Sequence, residues 1–408
     1  MLRANSILFQ PIKIGPITIP NRFIRSPIAW GDADENGYPS ENELHHMVDL
    51  AKGKVGLIIP GFMFPLKTGR VFPGQAGMSS PFHAQKWQKT IEEVHRLGSK
   101  VIFQIACGGI ACRYGDDKLP ITGPSANVFG RKDIRELTKI EIDQIVESFV
   151  NAAVNATQIA GVDGIMVHYA HGYLLSQFAS PAANKRTDEY GGSVANRSRI
   201  IKRIAESIEA AINKPNQRKY AIIAKCNGHD CLEDGVTPSI CAETIAELKK
   251  SNVIDLFEIS CGFLNPFNMS RGVKQPIRNH LRDSMQTAYD QICTTENEKY
   301  PFSQGYTVDY AKQVRKMNPE VKLSLVGGHR SFNKMEQLVQ NGDCEMISIA
   351  RPLIRDPFLI KHFYENKLDV AECQSCNQCF IHGGSKHVAC TFPPKLPQDY
   401  KGPLKCEE

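Results

Sequence analysis

Short, nearly continuous apolar runs that are rich in β-branched residues recur along the whole chain. Strands covered on both faces carry such runs, whereas strands with one exposed face alternate apolar and polar residues. Eight runs of this kind predict eight buried strands, at residues 23–28, 55–59, 100–105, 164–167, 221–225, 256–259, 322–326 and 346–349.

Apolar residues at helical spacing occupy several of the gaps between these runs. The clearest predicted helix begins at Thr138, which forms a capping-box pair with Glu141, and its apolar residues recur from Ile142 onwards. Residues 87–97 and 332–340 predict two more helices. Strands that alternate with helices indicate either a parallel (β/α)8 barrel or an open, doubly wound sheet.

The barrel is the better prediction, because no Gly-x-Gly-x-x-Gly turn follows the first predicted strand. We therefore predict an α/β protein with a single (β/α)8 TIM barrel over residues 1–360 and a short cysteine-rich C-terminal extension over residues 361–408. The long connections 106–135 and 262–305 each follow a strand. Both should therefore lie on the C-terminal face, where barrel enzymes place their active sites.

The composition is that of an ordinary globular protein, with 42% hydrophobic and 23% charged residues in a chain of 408. The net charge of +6 is dispersed, which argues against a nucleic-acid-binding groove. No apolar run is long enough to span a membrane, and the first residues lack the apolar core of a secretory signal. With thirteen cysteines, the chain is predicted to be cytoplasmic and to act on a small molecule.

The most informative stretch is the block of residues 168–199. It opens with His168, His171 and Tyr173 directly after the apolar run 164–167, so these side chains should lie at the C-terminal end of a strand. By itself, a His-x-x-His pair most often holds a metal ion or lies in a core with its ring nitrogens satisfied. The charged residues and glycines at 186–193 are typical of a fixed loop ahead of a helix, and we assign them a structural role.

This block resembles the signature of the Old Yellow Enzyme family of FMN-dependent oxidoreductases. The family pattern reads His-x-x-His/Asn-Gly-Tyr-Leu-x-x-Gln-Phe-x-Ser-Pro, then Asn-x-Arg-Thr-Asp-x-Tyr-Gly-Gly-Ser, and the chain follows it almost throughout. The resemblance extends over residues 8–357. It implies a bound FMN, NADH or NADPH as the hydride donor, and hydride transfer from the flavin to an activated alkene.

The resemblance also implies which residues contact the flavin. A cation near the N1/O2 edge stabilises the reduced ring, and a phosphate needs backbone N–H groups and a guanidinium. Lys225 is the candidate cation, and Gln104 is the candidate amide at the pyrimidine edge. Glycines and an arginine after the last two strands form the candidate phosphate site. The full set is Pro27, Ile28, Ala29, Gly61, Gln104, Lys225, Gly327, Gly328, Ala350 and Arg351.

On the substrate side, the resemblance implies that His168 and His171 donate hydrogen bonds to a carbonyl oxygen. Such donors stabilise the enolate that forms as hydride reaches the β-carbon. Tyr173 is the implied proton donor to the α-carbon, since a phenol with a pKa near 10 keeps its proton at neutral pH.

A run of cysteines follows the barrel, with Cys373, Cys376, Cys379 and Cys390 as candidate metal ligands. Their spacing suits zinc or iron–sulfur. The 2,4-dienoyl-CoA reductase branch of the family carries a similar run that binds a [4Fe–4S] cluster, although two gaps are one residue shorter here. We favour a structural zinc or vestigial free thiols, because the chain stops before the further domains of that branch. Spare ligands would be His382 and His387.

These observations predict an FMN-dependent NAD(P)H oxidoreductase of the ene-reductase type. Because the nicotinamide and the alkene would use one pocket, ping-pong kinetics are expected. Two alternatives remain open. One is an iron–sulfur and FMN electron-transfer or dehydrogenase subunit that is served by a separate reductase, and the other is a barrel that binds FMN without turnover.

Overall fold

The computed structural model describes residues 1–112, 120–217, 219–272, 295, 298–379 and 388–390. Each of the eight predicted runs coincides with a strand, although the strands that begin at Gly164, Ala221 and Leu256 extend one or two residues beyond the predicted ends. Five further short strands occur in the described residues. In chain order the strands are β1 (Ile12–Ile14), β2 (Ile17–Ile19), β3 (Phe23–Arg25), β4 (Leu57–Ile58), β5 (Phe62–Met63), β6 (Lys100–Ile105), β7 (Ile121–Gly123), β8 (Ile134–Glu136), β9 (Gly164–Tyr169), β10 (Ala221–Asn227), β11 (Leu256–Ser260), β12 (Leu323–Val326) and β13 (Met346–Ile349).

Eight of these strands form a closed parallel barrel. Their order is β4, β3, β13, β12, β11, β10, β9 and β6, and a pairing of β4 with β6 closes the ring. The (β/α)8 TIM-barrel prediction is therefore confirmed, and the open doubly wound sheet is excluded. The register places Lys225 of β10 between His168 of β9 and Glu258 of β11.

The first predicted strand was three residues too long. It ends at Arg25, and Ser26 makes one further backbone hydrogen bond to Ile349 (3.0 Å). Pro27 follows and has no N–H with which to continue the ladder, so the chain leaves the sheet there. This departure turns the segment after β3 towards the barrel mouth.

Helices cover the outside of the barrel. The helix predicted at Thr138 is present, and the Thr138–Glu141 capping box is formed as expected. The α-helices in the described residues are Glu41–Lys52, Pro81–Gln85, Gln88–Arg96, Lys139–Val154, Leu174–Ala179, Val194–Ile212, Pro238–Lys249, Pro266–Met269, Val308–Met317, Phe332–Gln340, Arg351–Arg355 and Leu359–Tyr364. None of the described helices is long and apolar enough to cross a membrane.

The barrel interior is apolar at one end and polar at the other. At the N-terminal end, Ile14, Ile17 and Ile19 of the β1–β2 hairpin pack with buried strand residues such as Ile102 and Met166. This plug closes the lower end by burying apolar surface. The polar strand-end residues lie at the opposite, C-terminal end, where a barrel places its ligand site.

The described parts of the two long connections pack against each other. In the first, β7 and β8 pair with each other over a small cluster that includes Ile110 and Val128. In the second, Phe263 contacts Phe129 of the first connection, with ring centroids 5.7 Å apart. Residues 113–119, 273–294 and 296–297 lie outside the described residues, and the predicted roles of both connections stay predictions.

Candidate functional site

A large cavity opens at the C-terminal end of the barrel, with about 1180 Å³ of space including its mouth. Strand ends from around the ring contribute to its wall, as expected for a barrel active site. Nearly all the predicted site residues line it: Pro27, Ile28, Ala29, Gln104, His168, His171, Tyr173, Lys225, Gly327, Gly328, Ala350 and Arg351.

Gly61 is the predicted cofactor contact that the structure does not bring to this cavity. Its N–H donates to Glu43 Oε1 (3.2 Å), behind the segment that follows β3. A Cβ at this position would lie 2.9 Å from the Ile28 carbonyl oxygen. The glycine is therefore needed for close backbone packing behind the cavity wall.

His168, His171 and Tyr173 form one wall of the cavity. The ring centroid of His168 lies 5.1 Å from that of His171 and 5.3 Å from that of Tyr173. Phe62 packs against Tyr173 with a centroid separation of 4.9 Å. Nδ1 of His168 is buried without a hydrogen-bond partner in the described structure, while His171 Nε2 lies 2.7 Å from Ser260 Oγ. The three groups predicted to contact substrate are thus neighbours.

A strained backbone turn places His171. Its φ is +65°, a left-handed conformation that non-glycine residues rarely adopt and that is common at functional sites. Hydrogen bonds hold this turn, since His171 N–H donates to Asn227 Oδ1 (3.1 Å) and Leu264 N–H donates to the His171 carbonyl (3.0 Å). Gly172 follows with φ +76°, and a Cβ there would lie 2.7 Å from a Leu264 side-chain carbon. The turn therefore requires glycine.

All three wall residues are uncharged at neutral pH. Burial, and then the nearby Lys225 ammonium, lowers the pKa of His168 well below 6.5. The pKa of His171 is lowered by burial, by Lys225 and by His168. Burial raises the pKa of Tyr173 above 10. Each neutral imidazole still carries one N–H, and the phenol keeps its proton, so the wall presents neutral donors to the cavity.

Lys225 lies at the floor of the cavity and is paired with Glu258. The distance from Lys225 Nζ to Glu258 Oε1 is 2.6 Å, and Nζ also donates to Ser26 Oγ (3.0 Å). Glu258 was not among the predicted site residues. A signal was present, because an acidic residue inside the apolar run 256–259 must be buried and therefore needs a buried partner.

Two arginines lie at another end of the cavity, beside Gly327 and Gly328. Arg351 was predicted, whereas Arg330 was missed. Burial lowers the pKa of Arg330, and the proximity of Arg351 lowers it further. The positive charges of these two guanidinium groups repel each other, and an anion between them would relieve that repulsion. The end of the cavity is therefore suited to a phosphate group.

The second half of the sequence block lies away from the cavity. Arg186 is buried and donates to the carbonyl oxygens of Pro124 (3.0 Å) and Leu137 (2.8 Å), and its guanidinium pairs with Asp188 (2.7 Å). Asn184 donates to the Tyr190 carbonyl (2.7 Å). The loop is tied to itself and to the connection that precedes it.

A second, smaller cavity adjoins the first and encloses about 360 Å³, part of it open to solvent. Arg351 and Cys379 line both cavities. No three His, Cys, Asp or Glu side chains of the described residues converge as ligands of a single metal ion. His382 and His387 lie outside the described residues. The four predicted cysteines all line the smaller cavity: Cys373, Cys376, Cys379 and Cys390.

Comparison with known protein families agrees with this geometry. The family model described as NADH:flavin oxidoreductase / NADH oxidase matches residues 7–258. The chain belongs to this family. Membership confirms the resemblance drawn from the block at 168–199, and it supports FMN as the cofactor and a reduced nicotinamide as the hydride donor.

Individual relatives extend the comparison to most of the chain. The NADPH dehydrogenase of Halalkalibacterium halodurans is 30% identical over 353 residues, which are 86% of this chain and 92% of that protein. An old yellow enzyme homologue from Zymomonas mobilis has a TM-score of 0.70 at 22% identity, over 97% of this chain and 99% of that one. A 2-naphthoyl-CoA reductase in complex with 2-naphthoyl-CoA has a TM-score of 0.81 at 23% identity, but the match covers 95% of this chain and 57% of that one. These two structures share the fold.

Proposed function

We propose that this member of the family is an ene-reductase, which uses NAD(P)H to reduce activated alkenes such as α,β-unsaturated carbonyl compounds. The observation that carries the proposal is the wall formed by His168, His171 and Tyr173. It presents three neutral donors to the same cavity that Lys225 lines. A protein that only stored FMN would not need a proton donor beside two carbonyl-binding groups.

The cavity suits FMN in its size and in the order of its polar groups. Gly327, Gly328, Arg330 and Arg351 would hold the phosphate, and Lys225 would contact the pyrimidine edge of the ring. Gly328 has φ +69°, and a Cβ there would lie 2.7 Å from the Ser303 carbonyl oxygen, so this turn needs glycine. When bound, FMN would accept hydride from the nicotinamide and pass it to the alkene.

The wall residues would act on the alkene substrate. His168 and His171 would donate to its carbonyl oxygen, which withdraws electrons from the β-carbon and stabilises the developing enolate. Tyr173 would then protonate the α-carbon through its hydroxyl. The unpartnered Nδ1 of buried His168 supports a role in binding, because a buried donor or acceptor without a partner is costly until a ligand satisfies it.

The test is an anaerobic titration of the purified protein, followed through the visible absorption of its flavin. NADPH or NADH is added first, and a cyclic enone is added second. We expect bleaching by the nicotinamide and recovery with the enone. Bleaching without recovery would reject ene-reduction of that substrate class, and a flavin that does not bleach would reject direct reduction by nicotinamide.

A second candidate function rests on the smaller cavity. Cys373, Cys376, Cys379 and Cys390 all line this cavity, and four thiolates at one place can hold either a zinc ion or an iron–sulfur cluster. The electron-transfer alternative needs the four thiolates to hold an iron–sulfur cluster. Because Arg351 and Cys379 also line the larger cavity, such a group would lie beside the flavin. The protein could then exchange electrons with a separate reductase.

The metal content of protein purified without air decides whether the four cysteines bind an iron–sulfur cluster, a zinc ion or no metal. About four iron atoms with equivalent acid-labile sulfide per chain, lost in a Cys376→Ser variant, would support the electron-transfer subunit. One zinc per chain would support the structural site predicted from the sequence. Protein without either metal, but with flavin that turns over, would leave the cysteines as free thiols.

We also infer a reducing compartment, such as the cytoplasm. All eleven cysteines within the described residues are free thiols, and disulfides are scarce in reducing compartments. Alkylation of thiols in freshly lysed cells, followed by mass spectrometry, tests this inference.

A further inference from the structure

The floor of the larger cavity contains a buried ion pair whose charged groups also make hydrogen bonds to two serines. Lys225 is 3% exposed and Glu258 is fully buried. Lys225 Nζ lies 2.6 Å from Glu258 Oε1 and donates to Ser26 Oγ (3.0 Å). Ser26 in turn donates to Glu258 Oε1 (2.9 Å), and Ser348 donates to the other carboxylate oxygen.

This network ties together strands from opposite parts of the sequence. Lys225 and Glu258 are register partners on β10 and β11, Ser26 follows β3, and Ser348 lies on β13. Lys225, Ser26 and Ser348 line the cavity, whereas Glu258 lies behind them. The carboxylate therefore fixes the position of the ammonium group and places a negative charge directly behind it.

The contribution of a buried ion pair to protein stability does not by itself explain its presence at the cavity floor. Removing two charges from water is costly, and apolar residues of similar volume often stabilise a core as well as a buried ion pair does. Here only the ammonium side faces the cavity. The pair is thus placed to act on a ligand there, with the field of Lys225 partly cancelled by Glu258.

We propose that Glu258 is a positioning residue that holds Lys225 against bound FMN and offsets part of its charge, and so keeps the reduction potential of the flavin low. A lone cation at the N1/O2 edge would stabilise the negative charge of the reduced ring more strongly than the ion pair does. A lower potential makes the reduced flavin a stronger hydride donor to the alkene. The inference rests on the proposed function, in that FMN occupies this cavity.

The test compares midpoint potentials, measured by equilibrating the bound flavin with reference dyes of known potential. Glu258→Gln removes the negative charge, keeps the volume and retains an oxygen that can accept from Lys225. We expect its potential to be more positive than that of the unsubstituted protein. At fixed solution potential, the ratio of reduced to oxidised flavin should rise about tenfold or more, as expected when one unit charge is removed several ångströms away at an effective dielectric constant of about 20.

Two further variants separate charge from structure. Lys225→Met combined with Glu258→Gln removes both charges and leaves no unpaired ion, so it should fold even if the single variant does not. Its potential should lie nearer to that of the unsubstituted protein than to that of Glu258→Gln. Ser348→Ala removes one hydrogen bond to the carboxylate but no charge, and it should shift the potential much less than Glu258→Gln.

The outcomes are distinct from those of the functional test. An unshifted or more negative potential in Glu258→Gln, with flavin still bound, overturns this inference and leaves the ene-reductase proposal intact. If Glu258→Gln does not fold, the double variant provides the test. A ratio of reduced to oxidised flavin in the double variant that rises tenfold or more at fixed solution potential also overturns this inference. Protein that binds no flavin would instead overturn the proposed function.

Discussion

The two halves of one sequence block, residues 168–173 and 184–190, have opposite physical characters. In the first half, Nδ1 of buried His168 has no partner among the described residues, and three neutral side chains line the cavity. In the second half, Arg186 is saturated by two carbonyl oxygens and by Asp188. Both halves fit the family pattern equally well. The two halves therefore differ in hydrogen bonding, which supports the proposed binding role for the first half and a structural role for the second.

The difference has a physical origin. A buried polar group that is satisfied within the protein gains little from a ligand, whereas one left unsatisfied gains a full hydrogen bond. A recurring sequence pattern therefore marks both binding and structural residues, and the two are separated by hydrogen-bond partners. The following substitutions should affect catalysis in the first half and stability in the second.

The largest expected effect is on the proton-transfer step. Tyr173→Phe should slow reoxidation of the reduced flavin by a cyclic enone about 10²–10⁴-fold, the range typical of a lost general acid. Reduction of the flavin by NADPH should stay nearly unchanged, because that step needs no proton from Tyr173. Stopped-flow absorbance measures both half-reactions. The matched control is Tyr190→Phe, which removes a hydroxyl from the second half and should alter neither. Equal loss of both half-reactions in Tyr173→Phe would reject the role.

Loss of a carbonyl-binding group should come next. His168→Ala should slow reoxidation by the enone about 10²–10³-fold, as when one donor to a developing oxyanion is removed. Reoxidation by ferricyanide, which has no carbonyl group to bind, should be nearly unaffected. The ratio of the two rates measures the effect. A similar loss with both oxidants would show that His168 supports the flavin site rather than the substrate.

In the second half, the expected effect is on the free energy of unfolding. Arg186→Ala should lower it by about 3 kcal/mol, because Asp188 and two buried carbonyl oxygens lose their partner. Urea titration measures the change, and turnover per folded molecule should be preserved. Arg135→Ala breaks a partly exposed pair with Glu141 and should cost less than about 1 kcal/mol. Equal effects of the two substitutions would contradict the structural assignment.

The smallest effect is a difference in pH dependence. The pKa of His168 lies below its ordinary 6.5 in the folded protein, so below that pH the unfolded chain binds more protons and stability falls. Hydrogen bonding from Arg186 lowers the pKa of Asp188 below 3.8. The contribution of this carboxylate to stability is therefore retained above pH 3.8 and is lost only at lower pH. Urea titrations at several pH values from 7.5 to 5 give the free energy of unfolding at each pH. This free energy should therefore fall less steeply with decreasing pH in His168→Gln than in the unsubstituted protein. In Asp188→Asn the pH dependence of the free energy of unfolding should be unchanged over that range. A changed pH dependence in Asp188→Asn, with none in His168→Gln, would refute the prediction.

Much of the fold and of the cavity wall was predictable because the signals are local. Apolar runs identified every barrel strand, and the capping box identified the helix that begins at Thr138. His168 lies near the end of β9, and His171 and Tyr173 follow it within a few positions, so their location at a strand end needed only the chain direction. The end of β3 was misplaced, because apolar character continues past Arg25 while the backbone ladder does not.

Contacts across the barrel could not be read along the chain. Lys225 and Ser26 are 199 positions apart, and Ser26 and Glu258 are 232 apart. The sequence indicated that Lys225 ends a strand, but it did not indicate that a carboxylate lies 2.6 Å behind the ammonium. For the same reason Arg330 was missed, and Gly61 was placed in a cavity that it does not line.

The sequence by itself determined the barrel, its family and the location of His168, His171 and Tyr173 near one strand end, since these follow from apolar periodicity and from one continuous block. Only the tertiary structure decided that Lys225 is half of an ion pair, that Arg330 lines the same cavity as Arg351, and that four cysteines line one smaller cavity. Each of these features depends on the register with which the sheet closes. Closure brings together side chains whose separation along the chain carries no information about their distance in space.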